Sequence, residues 1–159
     1  MTGVRAVSHI AIGVRDLDAV LPFYRDLLRL RVVVDRQERF NDPSTNPPAE
    51  RVRRAAYLRW ADGPDTQFVV LDQQLGSPAG GEPAKLFQIG LHHVAVWVDD
   101  LEPFVAGAPA AGGKVLAPPV ESGGNSYAEP EGSIVRTVYL ADPEGNLIQL
   151  DQRLSSAWT

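Results

Sequence analysis

The chain has no cysteine, which excludes disulfides, thiolate nucleophiles and zinc–thiolate sites together. Histidine is scarce: only His9, His92 and His93 carry imidazole. No apolar run approaches the ~20 residues that a membrane span needs, so no membrane partner is expected. Basic charge is in deficit, with 15 Lys and Arg against 20 Asp and Glu, a net charge of −5. That balance disfavours phosphate-rich partners and argues against nucleic acid. The short cluster Arg51, Arg53, Arg54 reads as a solvated strand edge. P-loop, dinucleotide and GxSxG signatures are all missing, so nucleotide binding and serine hydrolysis have no support. A signal-peptide pattern is missing too, and the expectation is a cytoplasmic protein.

What the chain does contain is a sentence written twice. Ser8-His9-Ile10-Ala11-Ile12-Gly13-Val14-Arg15-Asp16-Leu17 returns as His92-His93-Val94-Ala95-Val96-Trp97-Val98-Asp99-Asp100-Leu101. The halves also end alike: Tyr57-Leu58 leads to Leu71-Asp72-Gln73, and Tyr139-Leu140 to Leu150-Asp151-Gln152. A repeat fixes architecture before any single motif does. It also sets His9 and His93 at equivalent points of two related modules.

Strand alternation puts Ile10, Ile12 and Val14 on one face and His9, Ala11 and Gly13 on the other. The bulky face suits packing under a helix; the small one, around a single polar group, suits a wall facing a ligand. Asp16 reads as an N-cap for a helix to about Leu30, with Pro22 a cost to it. Strands are expected near 31–39, 53–60 and 66–72, with a Pro- and Asn-rich loop at 41–50. In the second half a strand from His93 precedes a helix capped by Asp99 or Asp100 and ending at Gly112-Gly113. Further strands are expected near 114–117, 134–141 and 146–152, and a loop at 122–133. Each half reads βαβββ. The expected organisation is a first module at 1–75, a linker at 76–88, a second module at 89–153 and a tail at 154–159.

These stretches, SHIAIGVRDLDAVLPFYRDLL, GLHHVAVWVDDLEPF and VYLADPEGNLIQLDQ, resemble the vicinal-oxygen-chelate superfamily. It includes glyoxalase I, extradiol dioxygenases and bleomycin resistance proteins. The resemblance implies an α+β fold of two tandem βαβββ modules whose curved mixed sheets enclose a central pocket. It implies a divalent metal (Fe, Mn, Ni or Zn), a small-molecule substrate and a homodimer. By position it assigns His9, His93 and Gln149 as metal ligands. Val70 falls at the fourth ligand position, which isomerases and epimerases of the superfamily fill with Glu or Gln. The pattern is therefore more similar to the three-ligand arrangement of extradiol dioxygenases.

Two imidazoles and one side-chain oxygen approximate a facial triad with open positions. The departure is Gln149, whose amide is a weaker, neutral donor where the superfamily normally has glutamate. A competing reading makes His9 and His93 hydrogen-bonded core residues. The resemblance to extradiol dioxygenases makes Tyr139 the candidate catalytic hydrogen-bond donor, against a tyrosine that lines the pocket by packing alone. Arg59 and Trp97, with Val70, are candidate substrate-binding residues for an anionic or aromatic group. His92 is expected to point to the opposite face from His93. No base for proton abstraction is visible at Val70 or Gln149, which leaves a dioxygenase- or lyase-like metalloenzyme as the leading expectation. The alternative is a metal-free binding protein that sequesters a drug or natural product.

Overall fold

The computed structural model describes residues 3–4, 6–76 and 80–158. Residues 77–79 of the expected linker and Thr159 of the expected tail lie outside the described residues. The chain divides into two compact units, Met1–Gly81 and Glu82–Thr159.

The first unit contains β1 (His9–Val14), α1 (Leu17–Pro22), β2 (Arg31–Asp42), β3 (Ala49–Arg59) and β4 (Phe68–Leu75). Its sheet runs β1-β4-β3-β2, with β1 parallel to β4 and the other pairs antiparallel. Alternation sends Ile12, Val14, Ala56, Leu58, Val69 and Leu71 to the buried face, under Leu17, Val20 and Leu21 of α1. Asp16 caps the helix as expected, its carboxylate accepting from the N–H groups of Asp18 (3.0 Å) and Ala19 (3.2 Å). The helix does not run on in α form to Leu30. Pro22 has no N–H to return to Asp18, and from Phe23 to Leu27 the turn is π-helical, with the Leu28 N–H on the Phe23 carbonyl. Both Phe23 and Tyr24, neighbours in that turn, are fully buried.

The second unit contains β5 (Val94–Val98), α2 (Glu102–Gly107), β6 (Lys114–Val115), β7 (Val120–Gly123), β8 (Ile134–Ala141) and β9 (Leu147–Ser155). Its sheet runs β5-β9-β8-β6, with β7 also paired to β8. Again the first strand is parallel to the last and the remaining pairs are antiparallel. The α+β class and the βαβββ repeat are thus both present, each unit with one mixed sheet. β7 is the unexpected element, and β9 runs through Ser155 rather than stopping near 152. No helix among the described residues is long and apolar enough to cross a membrane.

The repeat reaches individual side chains. Gln73 Oε1 accepts from the Leu17 N–H at 3.1 Å, and Gln152 Oε1 from the Leu101 N–H at 3.3 Å. Both satisfy a backbone donor that a helix start leaves without an intrahelical partner. The last residue of each Leu-Asp-Gln triplet therefore ties the final strand of its unit to the start of that unit's helix.

Candidate functional site

The residues singled out above occupy corresponding places on the two sheets. In the first unit Ala11 pairs with Val70, and Val70 with Tyr57. In the second, Ala95 pairs with Gln149, and Gln149 with Tyr139. His9 and His93 each stand two residues before the equivalent alanine. Val70 and Gln149 are equivalents on the last strands, as are Asp72 and Asp151 two positions further on.

In the first unit the His9 ring stacks on Phe68 with centroids 5.0 Å apart, and its Nδ1 lies 2.8 Å from Ser8 Oγ. The Arg59 guanidinium stands 5.4 Å from the centre of the same Phe68 ring, and its Nη1 donates to the Gly63 carbonyl at 3.0 Å. Val70 is 4% exposed and offers no donor atom. Asp72 pairs with Arg53 at 2.5 Å, and Arg53 also reaches Glu38 at 2.6 Å and stands over the Phe40 ring. The hydrogen bond from Arg53, ahead of that from Arg36, holds the Glu38 carboxyl below its usual range.

These contacts correct the reading of the arginine cluster as a solvated edge. β3 is an interior strand, so alternation sends Arg53 to one face and Arg54 to the other, where it pairs with Asp18 and Asp35, both at 2.8 Å.

The second unit carries a connected polar group on the equivalent face. Gln149 and Asp151 are 6% and 5% exposed. Gln149 Nε2 donates to both oxygens of Asp151, at 2.9 and 3.0 Å, and Thr137 Oγ1 donates to Oδ1 at 2.6 Å. The single Thr137 proton is used on Asp151, so the contact between Tyr127 and Thr137 runs from the tyrosine hydroxyl to Oγ1. Among the described residues no Lys or Arg pairs with Asp151, in contrast to Asp72.

His93 meets Tyr139 edge-on, with centroids 5.9 Å apart. Burial, then the neighbouring His92, lowers the His93 pKa, and Asp151 opposes them. Burial, then Tyr127 and Asp151, raises the Tyr139 pKa. Tyr139 therefore keeps its proton at neutral pH and can donate it in a hydrogen bond. Trp97 is 49% exposed, with the Arg153 guanidinium 4.2 Å from the centre of its ring. The expectation for His92 fails: its Nδ1 lies 2.7 Å from His93 Nδ1 and the rings are 4.7 Å apart. β5 begins at Val94, so strand alternation does not govern this pair.

One pattern links His9, His93 and Gln149. Each histidine has Nδ1 engaged by a neighbour, which leaves Nε2 uncommitted; Gln149 has Nε2 engaged, which leaves Oε1. Imidazole nitrogen and amide oxygen are donors that a divalent ion takes. Within each unit, among the described residues, no three His, Cys, Asp or Glu side chains gather around one point. Sequence reasoning missed Asp151, Thr137 and Tyr127. Asp151 served there only as a marker of the repeat; its signal was a second polar residue at a period of two after Gln149, on the same face of the strand.

Residues 8–128 match the family described as the Glyoxalase/Bleomycin resistance protein/Dioxygenase superfamily. The chain is 25% identical over 150 residues to the uncharacterized protein YwbC of Bacillus subtilis (strain 168), covering 94% of this chain and 98% of that one. Its fold is similar to that of a glyoxalase family protein from Bacillus cereus, with a TM-score of 0.75, 18% identity and 97% of each chain covered. It is also similar to glyoxalase I from Zea mays, with a TM-score of 0.61 and 19% identity, covering 94% of this chain and 45% of that one. The structural likenesses speak to the fold; the sequence match, over most of both repeats, identifies the family. The chain belongs to the glyoxalase/bleomycin resistance protein/dioxygenase superfamily.

Proposed function

We propose that this chain is a divalent-metal-dependent enzyme acting on a small molecule with vicinal oxygens, of dioxygenase or lyase type, and working as a homodimer. His9, His93 and Gln149 are its metal ligands. The observation that carries the reading is the pattern of free atoms: in each of the three side chains the neighbour takes the other polar atom. The donor set suits Fe(II), Mn(II), Ni(II) or Zn(II). A metal held there supplies Lewis acidity to a chelating substrate.

The remaining roles belong to the chain itself. A neutral amide in place of a carboxylate leaves the ion with more positive charge, which favours an anionic substrate. Arg59 over Phe68, and Trp97, receive an anionic or aromatic part of it, with Val70 as apolar wall. Tyr139, held in its protonated form by burial, donates a hydrogen bond to a substrate oxygen. With Val70 and Gln149 where carboxylates would stand, proton abstraction by a metal-adjacent base is not part of this reading.

The same two positions favour a second reading, a metal-free protein that sequesters a small molecule. Elemental analysis of protein purified anaerobically without chelator separates the two. Stoichiometric Fe, Mn, Ni or Zn, lost in the His9→Ala/His93→Ala variant, is the expected result. Metal-free protein that takes up no divalent ion but still binds small ligands overturns it in favour of the sequestering protein.

A further inference from the structure

Asp151 is a buried carboxylate with three neutral hydrogen bonds and, among the described residues, no Lys or Arg beside it. Its counterpart Asp72 is balanced by Arg53. A carboxylate only accepts hydrogen bonds, whereas a glutamine amide has one donating and one accepting end. Gln149 can therefore meet Asp151 in one orientation only. Reversal of the amide would replace two N–H···O bonds by contacts between oxygens, in a place with little water to relieve them. Asp151 is in turn held from its other side by Thr137, which accepts from Tyr127. In the series Tyr127, Thr137, Asp151, Gln149 the donors thus converge on Asp151 from both ends, which leaves Gln149 Oε1 as the atom without a partner.

We propose that Asp151 is a positioning residue that fixes the Gln149 amide so that Oε1, and not the NH₂ group, is the atom this strand offers to a ligand. This rests on the reading of Gln149 as a ligand-facing residue. The site so made takes a cation or a hydrogen-bond-donating oxygen at that point and rejects an acceptor. Gln149 thereby supplies the oxygen that a carboxylate would supply without orientation, and Asp151 is the residue that makes the substitution workable.

The test needs a readout that does not depend on turnover. In the ¹⁵N NMR spectrum of the full chain, the Gln149 side-chain NH₂ protons are expected to be protected from solvent exchange. In Asp151→Asn, which keeps size and removes the acceptor-only partner, that protection is lost. Co(II) followed by its visible absorption reads the consequence: Asp151→Asn binds it about tenfold more weakly, as for loss of a residue behind a metal ligand. In Gln149→Glu/Asp151→Asn both terminal atoms at 149 are oxygens, so no orientation has to be fixed and the affinity returns to at least the wild-type level. The proposal is overturned by a wild-type Gln149 NH₂ that exchanges like an exposed glutamine, by an unchanged Co(II) affinity in Asp151→Asn, or by failure of the double variant to recover. If wild-type protein takes up no Co(II) while the protection is present and depends on Asp151, the orientation stands and the metal reading of the site falls.

Discussion

Gln149 and Asp151 form a buried, doubly hydrogen-bonded pair on the second sheet, and the constraint on it is electrostatic. Gln149→Glu sets a second carboxylate where an amide now donates twice. Two buried carboxylates in contact share a proton, so the folded pair binds protons more tightly than the unfolded chain does. A raised folded pKa gives stability that is complete at low pH and lost as pH rises. The variant is therefore expected to lose about 1–3 kcal/mol at pH 8, to regain it toward pH 5, and to regain it at pH 8 when a divalent cation is added. Thermal melts across that range check this, and a Tm that does not change with pH contradicts it.

Glu38 in the first unit gives the opposite sign. Arg53 holds its pKa below the usual 4.5, so its contribution is complete above that value and lost as pH falls through the folded one. Glu38→Gln should flatten the acid side of the stability profile, read by denaturant unfolding between pH 3 and 6. His9 and His93 stand out in the sequence because the repeat marks them, and Gln149 because of the resemblance. Asp151 does not, since Leu-Asp-Gln occurs in both halves with the same letters. Only tertiary packing gives one aspartate an arginine and the other an amide. Tyr127 comes from a loop whose position the sequence pattern does not encode.

Elements were read better at their strands than at their helices. β1, β5 and β8 lie where alternation and the repeat put them. Both helices are shorter than expected, each with proline near its end. Pro22 lacks a donor, and α1 gives way to a π turn; Pro109 follows the end of α2 at Gly107. There the Gly113 N–H returns to the Ala108 carbonyl at 2.9 Å and Gly112 has φ of 75°. β7 was invisible because Val120-Glu121-Ser122-Gly123 has no apolar period; pairing with β8 makes it a strand.

The glutamines that tie last strand to helix start are expected to matter equally in both units. Gln73→Ala and Gln152→Ala should each cost about 1 kcal/mol, measured by urea unfolding; no loss in either contradicts the shared role. Gly124, which opens the short turn carrying Tyr127, has no room for a methyl group: a Cβ there would stand 2.6 Å from the Ser133 Cβ and 2.8 Å from that of Glu129. Gly124→Ala should cost about 1–3 kcal/mol and displace Tyr127 from Thr137, visible as a shifted Tyr127 ring resonance. A spectrum and stability equal to the wild type count against this.

Across the chain the two units repeat one plan, with the first strand parallel to the last and matched registers between the last two strands, the second unit adding β7, yet with different chemistry at matched points. One has Val70 with Asp72 neutralised by Arg53; the other has Gln149 held by an Asp151 without such a partner. Repetition accounts for the fold and for its superfamily, and those were legible in sequence. In the proposed function the difference between the halves is what matters, and it depends on contacts that letters at equivalent positions do not reveal. The proposal that His9 and His93 are ligands of one ion is tested most directly by counting imidazoles on a paramagnetic substitute. Electron spin-echo envelope modulation of the Cu(II)-loaded protein should show two histidine rings in the wild type and one in either His9→Ala or His93→Ala. A bound ion carrying no imidazole, or a count unchanged by both substitutions, contradicts it.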